Sequence, residues 1–108
     1  MATYLFQAAY SSESVAAMIN NPQNRVEAIR PVVEGMGGSV LCGYFAFGEY
    51  DAVAIIEMPD NVSMAAFSLA ASASGAAKAI KTTPLMTIEE GIEAMKKAGG
   101  TRYRPPGR

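Results

Sequence analysis

Ser39-Val-Leu-Cys-Gly-Tyr-Phe-Ala-Phe47, then Gly48-Glu49, then Tyr50-Asp-Ala-Val-Ala-Ile-Ile-Glu-Met58 is the stretch on which the fold turns. Both runs are rich in Val, Ile, Tyr and Phe, and a short connection containing glycine reads as a β-hairpin. Pro59-Asp60 closes the second run, with Asp60 placed to cap a helix. Upstream, Val26, Ile29, Val33 and Met36 recur at helical spacing and Gly37-Gly38 stops the chain behind them. This helix is expected to start with Asn21 as N-cap and Pro22 at the first helical position. Pro31 predicts a kink in it, or a helix in two pieces. Before it, Thr3 to Tyr10 reads as a buried strand, and the serines after it can cap a short helix over Ser14 to Ile19.

Downstream, Val62, Ala66, Leu69, Ala70 and Ala73 share one face of a helix closed by Gly75. Ala77 to Met86 follows as a last strand, and Pro84 within it suits an edge. The order β-α-β-β-α-β predicts an α+β, ferredoxin-like domain: a four-stranded antiparallel sheet with helices on one face. Thr87 and Glu90 match a capping box, Lys96 and Lys97 end the same segment, and Ile88, Ile92 and Met95 stripe it. A C-terminal helix closed by Gly99 is therefore expected. Residues 1–98 form one domain on this reading, and residues 99–108 are a basic, Pro/Gly-rich tail. The tail is either an untethered terminus or an arm laid on a neighbouring subunit with Tyr103 as its anchor.

Composition narrows the chemistry. The chain has 108 residues, half of them hydrophobic and 18% charged, which suits one modest core rather than a disordered segment. It contains no histidine and no tryptophan, and Cys42 is its one cysteine. That removes Ser-His-Asp triads, histidine-ligated metals and any disulfide framework; no cofactor and no metal are expected. A net charge of −1 speaks against a nucleic-acid partner. The N-terminus lacks a basic leader and its apolar run is too short to span a bilayer, so a cytoplasmic protein without a membrane role is expected.

The residues Gly48-Glu49-Tyr50-Asp51 in this frame resemble the GYD-domain family, named for a Gly-Tyr-Asp signature at the hairpin. The resemblance runs over roughly Met1 to Ile88, through Thr3-Tyr4, Arg25-Val-Glu-Ala-Ile-Arg30, Gly37-Gly38, Gly48-x-Tyr50-Asp51 and Glu57-x-Pro59-Asp60. It implies a member of the dimeric α+β barrel group without an established activity. Pro31 and the basic tail depart from the family's plain pattern.

Both alternate sets of the second hairpin strand are largely apolar, whereas a sheet with one wet face should alternate cleanly. The surplus implies a partner, read as a homodimer or higher homo-oligomer. Asp51, Tyr50 and Tyr44 are the candidate catalytic residues. Asp51 acts either as a base beside an apolar sheet or as a turn residue accepting backbone N–H bonds, and a tyrosine either donates to a bound group or packs. Asp51 and Glu57 share a face but stand about 20 Å apart at strand rise, too far for a carboxylate pair. Cys42 reads as a small buried thiol with no base to activate it. Arg25, Arg30, Lys78 and Lys81 are either a site for an anion or ordinary solvated charges. The leading expectation is a homo-oligomeric module binding a small apolar or anionic ligand in a pocket between sheet and helices, lined by Tyr4, Phe6, Tyr44, Phe45 and methionines. The alternatives are a cofactor-free oxygenase or isomerase of the α+β-barrel class, and a regulatory or scaffolding subunit.

Overall fold

The structure is a computed structural model and describes residues 1–107; Arg108, the end of the basic tail, lies outside the described residues. The elements follow in the order β1 (Ala2–Tyr10), α1 (Ser12–Asn20), α2 (Arg25–Gly35), β2 (Ser39–Phe45), β3 (Ala52–Met58), α3 (Asn61–Ala73), β4 (Ala77–Leu85) and α4 (Ile88–Gly99). The four strands form one antiparallel sheet in the order β2-β3-β1-β4, the ferredoxin-like arrangement. β1 and β3 are central, and Pro84 falls on the edge strand β4 as its missing N–H requires.

Alternation builds the core. Tyr4, Phe6 and Ala8 of β1, with Ala54, Ile56 and Met58 of β3, are buried on one sheet face. Val33 of α2 and Met64 and Phe67 of α3 close over them. Leu5, Val53 and Ile55 point from the central strands to the other face, which no helix covers. Arg30 ties α2 down by donating to the Val40 carbonyl at 3.1 Å, and the Ser68 and Thr82 hydroxyls join α3 to β4 at 2.9 Å.

Four local expectations differ from what is found. α2 begins at Arg25, not at Pro22, with Asn24 as its N-cap: Asn24 Oδ1 accepts the Glu27 N–H at 3.0 Å. Asn21 is already used, because its N–H closes α1 on the Ala17 carbonyl at 2.9 Å. Since α2 runs from Arg25 to Gly35 with the proline inside it, Pro31 does not divide the helix into two pieces. It lies on the exposed side, and the Glu27 carbonyl that loses a partner belongs to an exposed residue which water can serve. In α3 the buried face is Met64 and Phe67 with Ala71 behind them, whereas Val62 and Leu69 are 79% and 70% exposed. The two bulky side chains that fill the core outrank a stripe made mostly of alanine.

Cys42, finally, is exposed rather than buried. The β2–β3 register shifts between Val40 and Cys42, so Leu41 is an extra residue and every later side chain of β2 changes face. Val40 points to the helices, while Cys42 and Tyr44 stand opposite Ile55 and Val53 on the open face. The same bulge brings Gly43 under Val26 of α2, so close that a Cβ at position 43 would overlap the Val26 methyls.

α4 has the expected capping box, with Thr87 Oγ1 accepting the Glu90 N–H at 3.0 Å and Glu90 returning to the Thr87 N–H at 2.9 Å. It buries none of its residues. The helix makes the molecule long: the radius of gyration is 17.3 Å, against about 13 Å for a compact chain of this length. No helix is long and apolar enough to cross a membrane among the described residues.

Candidate functional site

α2 and α3 lie over the same sheet face, and the space between them is lined by Ala28, Ile29 and Val32 from α2 and by Phe67, Ala70 and Ala71 from α3. Phe67 of α3 packs on Phe6 of β1 with ring centroids 5.0 Å apart and planes at 60°, holding α3 on the sheet. Alanine walls on a phenylalanine floor leave a cleft of about 240 Å³. That is a little under the ~300 Å³ at which small-molecule sites usually begin, so it suits one ring or a short branched chain.

Tyr10 and Arg25 are the polar side chains that matter there. Tyr10 ends β1 and Arg25 opens α2, so the strand end and the helix start meet at one end of the cleft. Both residues also line a cavity of about 170 Å³ against α1, beside Ser14 and Met18, and stand between it and the cleft. Tyr10 is held from behind. The β1–β4 register shifts between Ala9 and Tyr10, and Asp51 Oδ2 accepts the Tyr10 N–H at 2.8 Å. Asp51 is itself fixed, donating its N–H to the Ala8 carbonyl and accepting from Ala46 N–H, both at 2.8 Å.

The electrostatics at this end are one-sided. Burial pushes the Tyr10 phenol above its usual pKa, and the nearby Arg25 charge offsets that only in part, so the hydroxyl is a neutral donor. Glu27, the carboxylate in the first turn of α2, is taken by Arg30 through two bonds of 3.0 Å, which holds its carboxyl below the usual range. Arg25 forms no salt bridge among the described residues; it donates to Gln23 Oε1 at 3.2 Å and stands within hydrogen-bonding reach of the Tyr10 hydroxyl.

Two shallower grooves flank the cleft. The one between α3 and β4 is larger, about 560 Å³, but wide open. Its polar groups are satisfied among themselves, Tyr4 Oη donating to Asn61 Oδ1 and Ser68 pairing with Thr82. The other, about 520 Å³, runs between α2 and β2 past Glu27, Arg30, Tyr44 and Phe45. The residues expected to line one pocket are thus divided: Phe6 floors the cleft, Tyr4 lines the α3–β4 groove, and Tyr44 and Phe45 line the α2–β2 groove. The bulge at Leu41 is the reason Tyr44 is parted from Tyr4 and Phe6. Asp51 and Tyr50 lie outside the cleft and both grooves, Asp51 reaching the cleft only through the Tyr10 backbone. Of the four basic residues, Arg25 alone is at the cleft; Arg30 is paired and Lys81 stands opposite Gln7 on the open face. No group of three or more Cys, Asp or Glu side chains that could hold a metal occurs among the described residues.

Tyr10 was not legible as a site residue, because the feature that places it is an acceptor from a strand 41 positions away. The signal in the sequence was indirect: an aspartate where a strand begins, with no turn partner of its own.

A four-stranded antiparallel sheet in ferredoxin-like order, with a cleft under the two helices that cover it, defines a small α+β domain. The chain belongs to the GYD domain family, whose model matches residues 4–95. A solved structure described as the crystal structure of FFRP-DM1 is similar in fold, with a TM-score of 0.50 and 14% identity over 80% of this chain and 100% of that one. No curated protein matches the chain.

Proposed function

We propose that the protein is a homo-oligomeric binding module that holds a small molecule in the cleft between α2 and α3. The observation that carries this reading is the cleft itself. Protein interiors fill at near-crystalline density, and a gap between two helices over a sheet is ordinarily closed by Leu, Ile or Met. Here six alanines, at positions 8, 28, 70, 71, 76 and 77, make up much of the lining beside Ile29, Val32 and Ile80, and a gap remains. A sequence with seven methionines has side chains suited to filling it and places none there.

Self-association is the second part of the proposal. The uncovered sheet face carries Leu5, Val53 and Ile55, and α4 carries Ile88, Ile92 and Met95, all without cover in one chain. Two sheets set face to face, as in an α+β barrel, would bury the first set. A catalytic role has less support, since Asp51, Tyr50 and Tyr44 do not converge and the Asp51 carboxylate is engaged by a backbone amide.

A fill-in variant tests the binding reading. Ala28 and Ala70 line the cleft but belong to exposed positions, so Ala28→Leu with Ala70→Leu narrows it without touching the core. Small organic acids and their neutral analogues that raise the melting temperature of the parent chain should lose that effect in the variant. Retention of every such shift in the variant would remove the cleft as the site.

A further inference from the structure

We infer that the cleft is built for a small apolar carboxylate, its hydrocarbon part between the alanine walls and its carboxylate on Arg25 and the Tyr10 hydroxyl. This rests on the cleft being the binding site and adds the chemical class of what enters it. Three observations converge on that class.

The first is that Arg25 is a partly buried cation left without a counter-ion. Burying a guanidinium costs free energy unless a charge or acceptors answer it. Of the two carboxylates at this end, Glu27 is paired with Arg30, and Asp51 accepts the Tyr10 N–H and forms no ion pair with Arg25. A guanidinium presents two parallel N–H groups that match the two oxygens of a carboxylate. Gln23 takes one Nη1 donor at 3.2 Å and the Tyr10 hydroxyl lies within reach of the same guanidinium, so of its five N–H groups several are left for a ligand.

The second is that Tyr10 presents a donor. A phenol is protonated at neutral pH, so the Tyr10 hydroxyl, which lines the cleft beside Arg25, adds a hydrogen bond that an anion accepts and a cation cannot. Its position is enforced by the bond from its N–H to Asp51, which ties the Gly48-Glu49-Tyr50-Asp51 segment to the ligand end of the cleft.

The third is the limit on charge. Arg25 is the one cation among the residues that line the cleft, which suits a monoanion. Arg30 is neutralised by Glu27, and Lys81 is on the other face of the sheet, so a phosphoryl group with two charges would be under-served. The remaining wall, with Phe6, Ile29, Val32 and Ile80, is apolar and would reject a second polar end. The ligand class is therefore a monocarboxylic acid with a compact apolar body.

A matched pair of probes tests this in the full-length chain: 3-phenylpropionate and 3-phenylpropionamide, titrated by NMR. The two share a ring and linker and differ in charge. The carboxylate should bind about tenfold more tightly, the scale of one hydrogen bond between ionised partners. Arg25→Met should weaken the carboxylate far more than the amide and so remove that preference, and Arg25→Lys, which keeps the charge, should restore part of it. Equal affinity of the two probes, no binding of the carboxylate, or a preference that survives Arg25→Met would each overturn the assignment. Failure of the underlying site reads differently: the Ala28→Leu, Ala70→Leu chain would then bind both probes as the parent does.

Discussion

Asp51 joins three parts of the chain through short bonds: its own hairpin through Ala46, the middle of β1 through Ala8, and the end of β1 through Tyr10. Two of these use its backbone and survive any substitution. The third uses the carboxylate, so side-chain variants isolate it. Asp51→Ala should cost about 1–2 kcal/mol in urea unfolding, the range for a partly buried hydrogen bond to a charged acceptor. Asp51→Asn keeps an oxygen in place and should cost clearly less. Equal stability of parent and alanine variant would show that Tyr10 needs no latch. This residue also marks how far local sequence reasoning reaches. Asp51 stood out from its position beside a glycine turn, and accepting a backbone N–H was one of two roles its chemistry allowed. The donor, however, belongs to β1, and only the sheet order brings β1 beside it. Tyr44 was misplaced for a related reason: one inserted residue at Leu41 reverses the facing of β2, and nothing in Val40-Leu-Cys-Gly43 announces it.

The starts of α3 and α4 were legible from their own capping side chains, whereas α2, capped in the same way by Asn24, was not, because Asn21-Pro22 offered a competing start. Asp60 caps α3 by accepting the Ser63 N–H at 2.8 Å, and the box of Thr87 and Glu90 caps α4; both need only residues three apart. What the elements face was less legible. α3 is apolar all round, with alanine on both sides, and its buried face is decided by where Phe67 finds Phe6. The Asp60 cap has a consequence for acid stability. The Ser63 amide bond lowers the Asp60 pKa in the folded state, so the carboxylate contributes stability that is complete above the unfolded carboxyl pKa of about 4. That contribution fades as the pH falls through the lowered folded value. Asn is an equally good N-cap and does not titrate, so Asp60→Asn should lose less stability between about pH 5 and pH 2 than the parent. Urea midpoints measured across that window check this, and parallel curves would mean the cap carries no pH dependence.

At the scale of the whole molecule, one chain leaves two sets of apolar side chains open, a feature that supports the proposed self-association. The open sheet face and the stripe on α4 are separate surfaces, and each is costly alone. A 12-residue helix is marginal in water without a packing partner, yet α4 is fully capped, with Glu89 and Glu90 at its start and Lys96 and Lys97 at its end. Such local preparation on a helix that buries nothing points to a docking step outside the single chain. The two surfaces can be told apart by charge. Val53→Glu puts a carboxylate at the centre of the open face, and Ile92→Glu puts one in the middle of the α4 stripe, where neither is part of the buried core. If sheets pair face to face, light scattering should give the parent the mass of a dimer or a multiple of it, and Val53→Glu should reduce it to half or less. If α4 reaches across to a neighbouring subunit, Ile92→Glu should weaken the assembly as well, visible as dissociation at higher protein concentration than in the parent. A parent chain with monomer mass would defeat both ideas, whereas loss of assembly in Val53→Glu alone would leave the sheet pairing intact and α4 free for another partner.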